Sequence, residues 1–99
     1  MREGLNEPVS VICTYNASLR RFTPLQIGWA NDTYKLGKVD FYHKTKSGTK
    51  VLHHFSVADT EGRMYFKLQF DADTLNWALE EYMLASEAKI HYESYGGHQ

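Results

Sequence analysis

The 99-residue sequence predicts an all-β fold, a six-stranded, strongly bent antiparallel meander or partial small barrel. Apolar residues recur with a period of two between Pro8 and Tyr82, which is the spacing of half-buried strands. Aromatic and β-branched residues are abundant there, and short clusters of Gly, Asn and Asp separate the runs. A chain of this length builds one core, so we expect one domain at 8–84, with 1–7 as a flexible N-terminus and 85–99 as a flexible tail.

Six strands follow from this pattern. The predicted strands cover residues 9–15, 24–30, 33–43, 50–58, 63–70 and 75–82. Pro24 begins the second strand, a position at which the ladder tolerates proline. A two-residue turn at Asn31-Asp32 then places Trp29 opposite Tyr34. Because the alternation slips within the third strand, Gly37 is the expected site of a β-bulge that restores it.

The hairpin between the third and fourth strands fixes which side chains point inward. A three-residue loop at Lys46-Ser47-Gly48, with Gly48 in the left-handed region, sets Val39 opposite Phe55 and Phe41 opposite His53. The apolar side chains of both strands then share one face. The opposite face carries Lys38, Asp40, Tyr42, Leu52, His54 and Ser56.

Two four-residue turns, beginning at Asp59 and Asp71, connect the remaining strands. Both turns bring apolar residues opposite apolar residues, which is the condition for one buried face. The predicted pairs are Val57 with Met64, Phe55 with Phe66, Phe70 with Leu75, Leu68 with Trp77 and Phe66 with Leu79.

Residues 73–87 also satisfy a helical pattern, which gives an alternative α+β fold with a five-stranded sheet and a C-terminal helix. Ala, Leu, Glu and Met are good helix formers, and Asp73 or Thr74 could cap the first turn. The apolar positions at helical spacing are Leu75, Leu79, Tyr82 and Met83.

Three segments carry a resemblance to a protein family. They are Phe55-x-Val57-x-Asp59, Phe66-x-Leu68-x-Phe70-Asp71 and Thr74-x-x-Trp77-x-Leu79-Glu80-Glu81. The pattern resembles short, uncharacterised bacterial β-domain proteins of unknown function, over residues 9–82. The resemblance implies a small β fold and transfers no active site.

Composition excludes several classes of protein. Eleven basic and twelve acidic residues give a formal charge of -1, so neither a generally nucleic-acid-binding nor a highly acidic chain is indicated. No apolar run approaches the ~20 residues of a membrane helix, and Met1 to Pro8 lack an apolar signal core, so we expect a cytoplasmic protein. The single cysteine, Cys13, cannot form an internal disulfide, and we expect it to be a small buried residue.

Candidate chemical groups are few. His43 and His53 are predicted to point inward among apolar side chains without a third ligand, so we expect no metal site. Asp40 and His54 form an outward pair that could prepare a general base, with Ser56 next along the face. No oxyanion hole, cleft or phosphate-binding loop accompanies them, so we expect a surface ion pair, no cofactor and no enzyme activity.

Charge is divided unevenly along the chain. Residues 20–50 hold 7 basic and 2 acidic side chains, a formal +5, whereas residues 51–99 hold 3 basic and 8 acidic side chains, a formal -5. We therefore expect a non-catalytic protein-interaction or accessory module, which could also associate with itself. The alternative is a single-stranded nucleic-acid binder that uses basic and tyrosine side chains on a β surface. The candidate surface comprises Lys35, Lys38, Tyr42, Lys44, Lys46, Lys50, His54, Tyr65 and Lys67.

Overall fold

The computed structural model describes residues 3–84, with side chains from residue 6 onward, as one curled half-barrel sheet of seven antiparallel strands. The strands are β1 (Glu3–Pro8), β2 (Ser10–Asn16), β3 (Arg21–Trp29), β4 (Asp32–Ser47), β5 (Lys50–Asp59), β6 (Met64–Asp71) and β7 (Asn76–Leu84). The predicted all-β class is confirmed. No helix in the described stretch is long and apolar enough to span a membrane.

The predicted number of strands is wrong. Residues 3–8, in which the sequence pattern predicted no strand, form β1 and pair with β7. The alternative helix at 73–87 is also wrong over the residues that the structure describes, because 76–84 form β7. β7 lies between β6 and β1, so strand pairing on both sides overrides its helix propensity. The predicted tail, 85–99, lies outside the described residues.

A corner at Val9 brings the two edges of the sheet together. The strand order is β1-β7-β6-β5-β4-β3-β2, so the edge strands β1 and β2 are consecutive in sequence. The Val9 amide donates to the Trp77 carbonyl at 3.2 Å. Nearby, the Trp29 indole N–H donates to Glu7 Oε1 at 3.3 Å. The chain therefore passes from one sheet edge to the other within one residue and curls the sheet around its core.

The core covers one face of the sheet, which we call the inner face; the opposite face is the outer face. Trp77 contacts Phe70 and Phe55 with ring centroids 4.8 and 5.4 Å apart. A smaller buried cluster on the outer face joins Tyr65 to Met83. The buried inner residues are Ile27, Leu36, Phe55, Val57, Phe66, Leu68, Phe70, Trp77 and Leu79. This core depends mainly on β5, β6 and β7.

The predicted registers of β3–β4, of β5–β6 and of the part of β6–β7 next to its turn are wrong by two residues. The observed pairs are Trp29 with Asp32, Val57 with Phe66 and Leu68 with Leu79. The first hairpin turns at Ala30 and Asn31, both with positive φ, as a type I′ turn requires. A shift of two residues leaves each side chain on its predicted face. Two predicted pairs of the β6–β7 hairpin fail nevertheless. Leu75, predicted to point inward opposite Phe70, lies in the turn before β7 and is 72% exposed, and Phe66 pairs with Tyr82, not with Leu79.

The predicted register of the β4–β5 hairpin is wrong by an odd number. Gly48, with φ of +63°, is the first residue of a two-residue turn, not the last of a three-residue loop. Phe55 consequently lies opposite Tyr42, not Val39. An odd shift exchanges the faces, so Tyr42 joins Phe55 on the inner side and Phe41 is 58% exposed.

β4 bends where glycine was expected to interrupt it. The register against β5 shifts between Leu36 and Val39, which agrees with the predicted bulge at Gly37. A second shift, between Val39 and Phe41, was not predicted. Because bulges increase local bending, this 16-residue strand diverges from β3 after Lys35, where the ladder between the two strands ends.

Buried aspartates close the turns on either side of β6. Asp59 accepts hydrogen bonds from the Arg63 backbone N–H at 2.7 Å and from its Nε at 3.3 Å. Asp71 accepts from the backbone N–H of Asp73 at 3.0 Å, and its other oxygen lies 2.8 Å from Lys50 Nζ. The Lys50 hydrogen bond holds the pKa of Asp71 below its ordinary value. Each carboxylate thus replaces backbone pairing at the end of a strand.

β2 is covered little by the rest of the sheet. All its side chains except Val11 are exposed, because β3 is its only ladder partner in the described residues. Cys13 is exposed, so its predicted burial is wrong.

Candidate binding site

β3 and β4 pair along only part of their length and then separate. Their ladder runs from Trp29↔Asp32 to Gln26↔Lys35. Beyond Lys35, β4 continues to Ser47 and, within residues 3–84, is paired with β5 alone. One side of this long segment is therefore an open sheet edge.

The space between the separated strands is the β3–β4 cleft, formed by two adjoining hollows of about 360 and 320 Å³. Phe55 forms its floor, and Phe22 and Tyr42 line both hollows. Phe22 is anchored to the core through Phe70, with ring centroids 5.3 Å apart. The remaining lining residues are Leu19, Arg20, Arg21, Thr23, Lys38, Val39, Asp40, Phe41, Lys44 and His53.

A tyrosine–histidine pair lies in the cleft. Tyr42 Oη is 2.6 Å from His53 Nδ1, and the two rings are nearly parallel, with centroids 5.9 Å apart. Burial raises the pKa of the Tyr42 hydroxyl, and the positive charge of Arg21 partly opposes this effect. Burial lowers the pKa of His53, and the Lys44 charge and His54 act in the same direction. The pair is therefore neutral at pH 7, in a positive electrostatic environment.

Cations outnumber anions around this cleft. Arg20, Arg21, Lys38 and Lys44 line it, whereas Asp40 is its one acidic lining residue among those described. Within residues 6–84 no ion pair involves any of these four cations. Their charges are available to an anionic ligand or partner.

The structure divides the predicted candidate surface. Lys38, Tyr42 and Lys44 meet in the cleft, while Lys35 and Lys46 are exposed elsewhere on β4. The other predicted members are engaged or buried on the outer face. There, Lys50 pairs with Asp71 at 2.8 Å, Lys67 lies 3.6 Å from Glu81, His54 contacts Glu80 and Tyr65 is buried.

The predicted pair of Asp40 and His54 is not formed. His54 lies opposite His43, with stacked rings 4.6 Å apart, and its Nδ1 is 3.1 Å from Glu80. The prediction that His43 points inward is wrong as well, because the odd register shift moves it to the outer face. Among the described residues, no group of three or more His, Cys, Asp or Glu side chains is arranged to hold a metal ion.

The predicted surface contained only Lys38, Tyr42 and Lys44 of the cleft residues. Among those it left out are Arg20, Arg21, Phe22 and His53. A local signal did exist, since two arginines next to an aromatic residue mark a cationic, stacking-competent segment. What the local pattern lacks is the long-range packing that sets this segment against β4 and β5.

Comparison of the chain with known protein families, with curated proteins and with solved structures finds no match. The resemblance to short bacterial β-domain proteins stays a prediction.

Proposed function

We propose that this domain is a non-catalytic protein-interaction module that takes up an acidic, extended segment of a partner protein in the β3–β4 cleft. The observation that carries the proposal is the open edge of β4, which continues from Leu36 to Ser47 after its ladder with β3 has ended.

An open edge offers backbone donors and acceptors to an added strand. Each backbone N–H and C=O requires a hydrogen-bond partner, and strand addition supplies such partners in register. β4 has room for this addition because the two hollows separate it from β3 along the same stretch.

The positive charges around the cleft favour a negatively charged partner. Lys38, Lys44 and Lys46 lie along β4, and lysines on an edge disfavour pairing with a second copy of the same strand. They do not disfavour an acidic strand. With Arg20 and Arg21 on the other side of the cleft, the site is complementary to alternating Glu or Asp side chains.

Aromatic rings supply the apolar part of the interface. Tyr42 is 44% exposed although it contacts Phe55, and Phe22 lies across the cleft from it. Exposed aromatic residues beside a groove are typical anchors of protein interfaces. We expect the intervening side chains of the added strand to pack against these two rings.

A fluorescein-labelled nonapeptide that alternates Glu with Val and Thr tests the proposal by fluorescence anisotropy. We expect a dissociation constant below about 100 µM, which corresponds to roughly -5.5 kcal/mol, and much weaker binding of the matched Lys peptide. Backbone amides of β4 between 36 and 47 should gain protection from hydrogen exchange when the peptide binds.

Two charge reversals provide the matched comparison. Lys44→Glu, in the cleft, should weaken binding about tenfold or more, whereas Lys35→Glu, on the paired part of β4, should leave it nearly unchanged. Equal binding of the acidic and basic peptides, or no added protection in β4, would contradict the proposal.

A second candidate, binding of single-stranded nucleic acid, is favoured by one observation: Tyr42 and His53 present parallel rings beside Arg20 and Arg21. An oligothymidylate in the same assay tests it, since affinity should fall with salt by about 0.7 counterion per neutralised phosphate. Tyr42→Ala should then remove about 1 to 3 kcal/mol. We expect no binding tighter than roughly ten micromolar at physiological salt, within the range of nonspecific association. Tight, salt-sensitive binding would favour nucleic acid over an acidic peptide.

A further inference from the structure

The outer face carries a second cluster of functional groups, on the opposite side of the sheet from the β3–β4 cleft. Thr45 Oγ1 is 2.8 Å from His54 Nε2, and His54 Nδ1 is 3.1 and 3.2 Å from the two oxygens of Glu80. A hydroxyl, an imidazole and a carboxylate thus form one continuous hydrogen-bonded chain across β4, β5 and β7.

The Glu80 carboxylate lies at a local irregularity of β7. The β6–β7 register shifts between Lys67 and Leu68, whose partners are Glu81 and Leu79. Glu80 is the extra residue of this bulge, and its side chain lies on the outer face beside His54. Glu81, the next residue, lies on the outer face as well, 3.6 Å from Lys67, so the bulge places two consecutive carboxylates on that face.

The carboxylate also determines which nitrogen of the imidazole can act as a base. An ionised Glu80 accepts only, so the Nδ1 of neutral His54 must carry the proton and donate it to this bond. His54 Nε2 is then the acceptor, and the Thr45 hydroxyl donates to it. This is the order of roles that activates a hydroxyl nucleophile in acyl transfer.

The three groups differ in solvent exposure, and the hydroxyl, which would be the nucleophile, is the most exposed of them. The side chain of His54 is 12% exposed and that of Glu80 is 26% exposed, whereas Thr45 is an exposed residue. A groove of about 440 Å³ adjoins His54 and Glu80 on the outer face. Phe41 gives this groove an apolar wall, and Lys67 lines it together with Glu81, whose carboxylate lies 3.6 Å away.

We propose that Thr45 is an acylation site, whose hydroxyl accepts an acyl group from an activated ester with His54 as general base and Glu80 as the residue that positions it. In this step Thr45 Oγ1 forms a bond to the ester carbonyl carbon and its proton moves to His54 Nε2. The bond from that carbon to the leaving oxygen breaks, and the same proton passes to the leaving alcohol or phenol. The products are Thr45 carrying the acyl ester and neutral His54.

The test uses p-nitrophenyl acetate as the acyl donor and the full chain as the acceptor. Peptide mapping by mass spectrometry should locate one acetyl group on Thr45, formed together with nitrophenolate. Thr45→Val should abolish that label, and Thr45→Ser should retain it. Glu80→Gln should slow labelling at Thr45 at least tenfold without unfolding the sheet, which far-ultraviolet circular dichroism checks.

Thr14→Val serves as the control, because Thr14 is an exposed strand threonine on β2 that forms no hydrogen bond with a histidine within residues 6–84. This variant should acetylate at Thr45 as fast as the parent chain. Label found only on lysines or transiently on a histidine would overturn the proposal. So would labelling of Thr45 that is unchanged in Glu80→Gln and no faster than labelling of Thr14.

Discussion

The two strands of the β4–β5 hairpin differ sharply in their surroundings. On β5, Phe55 and Val57 are almost completely buried because β6 continues the sheet and the core covers the inner face. On β4, every residue from Asp40 to Ser47 is exposed, although β4 and β5 are paired over this whole length. Hydrogen bonding to one neighbour therefore does not bury a strand; a second neighbour and a covered face do. Most of the buried core lies in β5–β7, and β4 pairs with β5 at one side of it.

The largest expected difference between the two regions concerns an aromatic truncation in each. Trp77→Ala should lower the free energy of unfolding by about 3 to 5 kcal/mol, because Trp77 is 9% exposed and contacts Phe55 and Phe70. Phe41→Ala, on the open part of β4, should cost less than about 1 kcal/mol, since Phe41 is mostly exposed. Urea denaturation measures both. Similar midpoints for the two variants would show that the core does not reside in β5–β7.

A smaller difference is expected for carboxylates. Asp59→Ala should cost about 1 to 3 kcal/mol, because it leaves the Arg63 and Met64 backbone N–H groups without their acceptor. Asp40→Ala, at an exposed position of β4, should change stability by less than about 0.5 kcal/mol. Thermal unfolding of the two variants provides the measurement. An Asp59→Ala midpoint equal to that of the parent chain would show that the turn does not depend on this carboxylate.

The smallest effect is expected from mild acid. The folded-state pKa of His53 is lowered from its ordinary value of 6.5, so the folded state resists protonation. The stability that neutral His53 contributes is therefore complete above pH 6.5 and is lost as pH falls below that value. His53→Gln should reduce the loss of unfolding free energy between pH 7 and pH 5. The Asp71 pKa is also lowered, from 3.8, so the contribution of its contact with Lys50 should disappear only at still lower pH. A pH dependence unchanged in His53→Gln would contradict the assignment of this residue.

Period-two alternation was sufficient to find β2 to β7, because apolar side chains recur at every second position even in β2, whose side chains other than Val11 are exposed. It missed β1, whose segment Glu3–Pro8 has no alternation and is held by pairing with β7. The turn residues predicted correctly which side chains share a face next to three hairpin turns. At Gly48 they predicted the wrong faces, because a single glycine fits two turn lengths. That single ambiguity placed Tyr42 and His43 on the wrong faces.

The candidate sites were partly predictable for a related reason. Lys38, Tyr42 and Lys44 were recognised as binding residues from charge and residue type, and the structure brings them together in the cleft. Glu80 was not recognised as the partner of His54, because a bulge in β7 and two intervening strand pairings bring them into contact. Contacts that depend on the irregularity of a distant strand leave no local periodic signal.

The corner at Val9 has a consequence for the order in which the domain is completed during synthesis. Within residues 3–84, β1 precedes the other strands in sequence but pairs only with β7, which follows them. A nascent chain whose β7 has not yet left the ribosome therefore lacks this partner for β1, and β1 stays unpaired while about seventy further residues are translated. Such long-range closure is slow compared with local hairpin formation. In ribosome-bound chains arrested before β7, residues 3–8 should accordingly be cleaved readily by proteases. Once β7 has been released and pairs with β1, this cleavage should stop.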